Sequence, residues 1–206
     1  MIDARLNRAV RWPLQHMALR MQAMGLKADH LTWLGFLIGI SAVPLIAWSH
    51  FELALVAILL NRLFDGLDGA LARVTQPTDR GAFLDITLDF LFYGSIPMAF
   101  ALADPASNAL AASVLLFAFV GTGTSFLAFA VLAGQRGLSS TAFSGKGFYY
   151  LGGLTESTET IAVFALMCLV PAWFSALAYG FAALCFLTVV TRIAAGIHVF
   201  RSSTPR

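Results

Sequence analysis

Charge is scarce in this chain. Asp, Glu, Lys and Arg together make up 12% of its 206 residues, about half the share carried by a soluble domain. A water-soluble fold of this length could bury a large core, but so few polar residues could not cover its outside. Cysteine is nearly absent. Cys168 and Cys185 both lie in apolar runs. Neither is spaced like a metal ligand, and no disulfide framework is implied, so both read as small structural thiols. The amino terminus lacks the basic, then apolar, then small-residue order of a cleaved leader, so the whole sequence reads as mature. The net charge is only +2, and no nucleic-acid partner is expected.

What the chain has is apolar length. It is 59% hydrophobic, contains 18 Phe and has a mean hydropathy of +0.80. Stretches of about 18 or more apolar residues recur, which predicts an all-α integral membrane protein with one domain over residues 1–206. Six transmembrane helices are expected, at about 31–48, 53–73, 81–103, 109–133, 158–174 and 176–199. The breaks fall at "SHFE", "TQPTD", "DPASN", the stretch 135–157 and "PAWFS". Residues 1–28 then form an interfacial helix and linker, and 29–206 the six-span core.

The basic residues test this count. Lys and Arg stand at 5, 8, 11, 20, 27, 62, 73, 80, 136, 146, 192, 201 and 206, and none falls in 49–52, 104–108 or 171–175. This is a positive-inside pattern, with both termini and the loops 74–80 and 135–157 on the cytoplasmic side. Residues 2–23 carry Ile2, Leu6, Ala9, Val10, Leu14, Met17 and Met21 at near-helical spacing, with Arg5, Arg8 and Arg20 between them. This segment reads as an N-terminal amphipathic helix lying on the inner leaflet, kinked at Pro13.

Against this background Asp65, Asp68, Asp85 and Asp89 stand out, because all four fall inside spans two and three. One Asp at the centre of a span costs roughly 2.5–3.5 kcal/mol, so four left alone would cost on the order of 10–14 kcal/mol. Asp65, Asp68, Gly69 and Ala72 share one helical stripe; Gly81, Asp85 and Asp89 share another. If the two spans fold back at Pro77, Asp65 faces the depth of Asp89 and Asp68 that of Asp85. Four carboxylates so close cannot all ionise alone. Two divalent cations would balance them, and all-oxygen ligands suit Mg²⁺ or Mn²⁺.

The spacing Asp65-x2-Asp68-Gly69-x2-Ala72-Arg73-x7-Gly81-x3-Asp85-x3-Asp89 resembles the signature of the CDP-alcohol phosphotransferases at all eight typed positions. The resemblance implies transfer of a substituted phosphate from a CDP-linked donor to an alcohol, with release of CMP. It implies that Asp65, Asp68 and Asp85 hold the metal pair, and that Asp89 completes the site and acts as general base. Asp65 and Asp68, with Gly69, Ala72, Arg73 and Gly81, would lie against the nucleotide. A homodimer and a six-span fold with inward termini also follow from the resemblance. The expected donor is CDP-diacylglycerol and the acceptor a small polar alcohol, with the active site facing the cytoplasm of a bacterial inner (plasma) membrane.

Arg192 is an intramembrane cation and a candidate for acceptor binding; Arg136 and Lys146 could add charge at the mouth. The competing reading is that Arg192 snorkels and the other two are ordinary inward-facing charges. Glu156 and Glu159 open span five, where Thr155 or Ser157 could cap the helix. Arg62 could offset Asp65, Asn61 could bind a ligand or simply pack, and "GTGTS" at 121–125 could let helices approach closely. Three other functions stay open: CDP-choline or CDP-ethanolamine transfer to diacylglycerol, a divalent-cation transporter, and a prenyltransferase, echoed weakly by Asn61-x3-Asp65.

Overall fold

The computed structural model describes residues 2–137 and 155–201, with side chains from residue 12 onward. Among the described residues every regular element is helical. In chain order they are α1 (Ile2–Ala23), α2 (Ala28–Ile40), α3 (Ala42–Ala47), α4 (Phe51–Thr75), α5 (Asp79–Ala103), α6 (Pro105–Gln135), α7 (Ser157–Leu169) and α8 (Phe174–Phe200). A 3-10 turn, Pro171–Trp173, precedes α8.

Among the described residues, four segments are long and apolar enough to cross a membrane: Ala28–Ala47, Asp79–Ala103, Pro105–Gln135 and Pro171–Phe200. The other two expected spans fall short for identifiable reasons. With 25 residues α4 has the length, about 38 Å, but Glu52, Arg62, Asp65, Asp68 and Arg73 dilute its apolar character. With 13 residues α7 reaches only about 20 Å, against a hydrocarbon core of about 30 Å. Pro171 limits it, because a ring in place of an amide cannot continue the helix. The fifth expected segment therefore stops at Leu169, and α8 begins at Phe174.

The first span is broken as well. Its two pieces meet at Ser41, where Pro44 would clash with the carbonyl four residues back, at Ile40, the last residue of α2. The Ser41 hydroxyl donates to the Ile38 carbonyl at 2.6 Å. α1 is one helix with Pro13 inside it. It packs Leu14, Ala18 and Met21 around Leu67, Ala70 and Leu71 of α4, leaving Trp12, Met17, Leu19 and Met24 exposed.

The main core gathers Ile46, Ile58, Phe92, Ile96, Phe100, Leu115, Phe164, Met167 and Phe174 from six helices. Phe100 stacks on Phe51 and Phe174 at ring-centroid distances of 5.7 and 4.5 Å. Between apolar helices in lipid, close packing replaces the hydrophobic drive, and small residues permit it. The "GTGTS" run does this twice. A Cβ on Gly121 would stand 3.1 Å from Val189 of α8, and one on Gly123 would stand 2.7 Å from the Phe90 ring of α5. Both cysteines are buried free thiols. At the other end, Asp104 caps α6 by accepting from the Ser107 amide at 3.1 Å, and the Ser107 side chain and amide hold its carboxyl below the ordinary value.

Candidate active site

α4 and α5 are joined by residues 76–78, which puts the turn where the sequence places it. The two helices nevertheless pack little on each other; each lies against α2 instead. The gap left between them is an open cleft, about 250 Å³ of empty space when the solvent at its mouth is included. Asp65, Asp68, Asp85 and Asp89 line it, with Asn61, Leu88 and, from α2, Thr32, Gly35 and Phe36. A tightly packed hairpin would leave no such room, and four like charges favour the wider spacing.

One carboxylate oxygen from each of Asp65, Asp68 and Asp85 lies within 4.8 Å of the other two. Asp85 thus serves both acids of α4, rather than Asp68 alone. Asp89 shares the cleft but stands outside this trio. Asp68 is the most buried of the four, at 5% exposure. Arg62, one turn deeper, forms an ion pair and hydrogen bond with Asp65, offsetting part of its charge as expected.

The wall opposite the aspartates depends on missing side chains. The Asn61 amide donates to the Gly35 carbonyl at 3.0 Å and is buried. A Cβ on Gly39 would meet Asn61 Nδ2 at 2.8 Å, and one on Gly35 would meet Phe64 Cβ at 2.8 Å. Asn61 is therefore a packing residue that fixes α2 on α4. The pattern Gly35-x3-Gly39 in an apolar span was the signal for this contact.

Gly69, Ala72, Arg73 and Gly81 lie beyond the cleft, toward the turn. A Cβ on Gly69 would come 3.4 Å from Arg73 Nη1, so the guanidinium folds back along the bare face of that residue. Thr78 caps α5 by accepting the Gly81 amide at 3.0 Å. Arg80 Nε pairs with Asp29 at 3.3 Å, tying the start of α5 to the start of α2.

Among the described residues, neither Arg136 nor Arg192 lines this cleft. Arg192 donates from Nη1 to the Thr122 carbonyl at 2.9 Å, and its guanidinium carbon lies 5.6 Å from the Phe126 ring centre. This anchors it between α8 and α6. Arg136 lies 4.8 Å over the Phe200 ring. Lys146 is outside the described residues. At the start of α7 the cap is Glu156 itself, not Thr155 or Ser157, and its amide donates to the Glu159 carboxylate at 3.2 Å.

Sequence reasoning missed Thr32, Phe36 and Tyr93. Tyr93 continues the stripe of Asp85 and Asp89 at the next fourth position, so the same spacing could have found it. Its hydroxyl lies 3.4 Å from Asp89 Oδ2 and 3.1 Å from Ser157 Oγ.

Comparison with known proteins bears on this arrangement. The family model described as CDP-alcohol phosphatidyltransferase matches residues 26–194. Inner membrane protein YnjF of Escherichia coli (strain K12) is 52% identical over 203 residues, covering 98% of each chain. The archaetidylinositol phosphate synthase of Pyrococcus horikoshii is 33% identical over 100 residues, 48% of this chain and 53% of that one. The Mycobacterium tuberculosis phosphatidylinositol phosphate synthase PgsA1, solved with CDP-DAG bound, superposes with a TM-score of 0.69 at 20% identity. The match covers 94% of this chain and 98% of that one. The same enzyme solved with manganese and citrate gives the same score over 94% and 93%. At that identity the likeness establishes a common fold.

Proposed function

Because the chain belongs to the CDP-alcohol phosphatidyltransferase family, we propose that it moves a phosphatidyl group from CDP-diacylglycerol to the hydroxyl of a small polar alcohol and releases CMP. The observation that carries this reading is the trio Asp65, Asp68 and Asp85, with carboxylate oxygens within 4.8 Å, at the family's spacing and beside Asp89 in one cleft. The donor set is all oxygen, which fits Mg²⁺ or Mn²⁺ better than softer metals. Asp65, Asp68 and Asp85 would hold the two cations, with Asp89 closing the set. When bound, the cations supply Lewis-acid stabilisation of phosphoryl charge.

The remaining roles fall to this chain's own groups. Gly69, Ala72 and Arg73 lie against the cytidine diphosphate, Arg73 adding positive charge, and Gly81 gives it close backbone approach. Asp89, outside the trio, takes the proton from the acceptor hydroxyl. The hydroxyl oxygen bonds to the phosphorus carrying the lipid, while the bond from that phosphorus to the CMP oxygen breaks. Arg192, held in place by Thr122, with Arg136 and Lys146, would favour an acceptor that carries phosphate. The structural neighbour solved with CDP-DAG bound and the archaeal relative named archaetidylinositol phosphate synthase support a lipid donor and such an acceptor.

The same reading gives six crossings, counting the charged α4 and the short α7, with α1 on the inner leaflet and its exposed Trp12 and Met17 in lipid. It places the protein in a bacterial inner membrane, with the site open to the cytoplasm, as a homodimer. Purified protein given CDP-diacylglycerol, Mg²⁺ or Mn²⁺ and a panel of acceptors should release CMP. The panel is glycerol 3-phosphate, inositol, inositol phosphate, serine and choline. Well-folded protein that stays silent with every acceptor, and with CDP-choline or CDP-ethanolamine plus diacylglycerol, would sink the reading. Metal uptake by vesicles without CMP release would make it a transporter instead.

A further inference from the structure

Asp89 differs from the other three acids in what holds it. Asp65, Asp68 and Asp85 crowd together, whereas Asp89 meets the phenol of Tyr93, one turn along α5, at 3.4 Å. The same phenol oxygen lies 3.1 Å from the hydroxyl of Ser157, the first residue of α7. With Asp89 ionised, chemistry fixes the direction of this chain of bonds. An ionised carboxylate only accepts, and a phenol has a single proton to give. Tyr93 therefore donates to Asp89, and Ser157 must donate to Tyr93.

Both ends of this relay are braced. The Tyr93 ring packs on Phe92 and Phe164 at centroid distances of 5.8 and 6.4 Å. Ser157 lies within the Glu156–Glu159 capping box, and Thr155 donates to Thr188 of α8 at 3.2 Å. We infer that Tyr93 is a positioning residue. It aims the Asp89 carboxylate by a hydrogen bond oriented by Ser157, and so links α7 to the proton acceptor of the reaction. This rests on the transferase reading for its catalytic consequence, while the contact itself does not.

Displacing a reacting group by about 1 Å can cost on the order of a hundredfold in rate, so loss of the aiming bond alone should lower kcat by about tenfold. Tyr93→Phe removes only the hydroxyl. It should lower kcat for CMP release by that factor, while the KM for CDP-diacylglycerol and the affinity for Mn²⁺ stay within about twofold of the parent. Ser157→Ala should act in the same direction but less, and the double variant should be no slower than Tyr93→Phe alone. Unchanged kcat in Tyr93→Phe, or multiplying losses in the double variant, would overturn the inference.

A second measurement needs no turnover. In the metal-free protein, the melting temperatures of Tyr93→Phe, Asp89→Ala and their double variant should depart from additivity by about 2–4 °C, as expected for groups in contact. Additive shifts overturn the contact. If the parent protein releases no CMP from any donor, the transferase reading fails, and the melting cycle still judges Tyr93.

Discussion

A single methyl group at position 39 should damage this fold more than its size suggests. In Gly39→Ala the new carbon would meet Asn61 at 2.8, 2.9 and 3.0 Å, through its amide nitrogen, Cγ and Cβ. The amide end cannot simply swing away, because Asn61 is buried and bonded to the Gly35 carbonyl. Overpacking of this kind costs about 1–3 kcal/mol, and losing the Asn61 bond adds about 1 kcal/mol. At about 2–4 °C per kcal/mol for a chain this long, melting should fall by about 5–15 °C, as read by thermal denaturation in detergent. Gly180→Ala in α8 is the control, since a Cβ there meets nothing within 4 Å; it should be neutral or slightly stabilising. If Gly39→Ala melts where Gly180→Ala does, the close approach of α2 to α4 does not carry the weight given to it here.

Four further outcomes follow from the site. Asp68→Asn should weaken Mn²⁺ binding by about a hundredfold or more, by titration calorimetry, because a ligand is lost from the buried end of the trio. Asp89→Asn should keep most of that affinity yet lose turnover; the reverse split would exchange their assigned roles. EDTA should abolish CMP release, and either Mg²⁺ or Mn²⁺ should restore it. Arg192→Gln should raise the KM for a phosphorylated acceptor by about tenfold or more and leave the donor KM unchanged; equal changes in both would reduce Arg192 to a brace between α6 and α8.

The aspartates were legible because their cost in lipid is large and their spacing is helical, so each acid points where its number says. Span lengths were less legible. A window of apolar residues does not reveal that Pro44 splits the first crossing or that Pro171 cuts α7 short. The separation of α4 from α5 was hidden for a different reason. A short loop specifies that two helices are neighbours in sequence, but α2 decides how far apart they stand, and its Gly35-x3-Gly39 pattern signals a close helix contact without naming the partner. Glu156 was misassigned because Thr and Ser cap more often, whereas here the reciprocal pair with Glu159 prevails. Tyr93 sat on a stripe already drawn and went unread because a phenol in an apolar helix looks like core.

The packing of α2 on both α4 and α5 has a consequence for how the cleft meets its ligands. Its width is set by a third helix rather than by the acids pulling on whatever lies between them. Under the proposed transfer, cations would meet carboxylates already held at their separation, and little of the binding free energy would be diverted into drawing two helices together. The protein bears that expense at folding, when repelling carboxylates are brought to one place and kept there by glycine-mediated packing at their back.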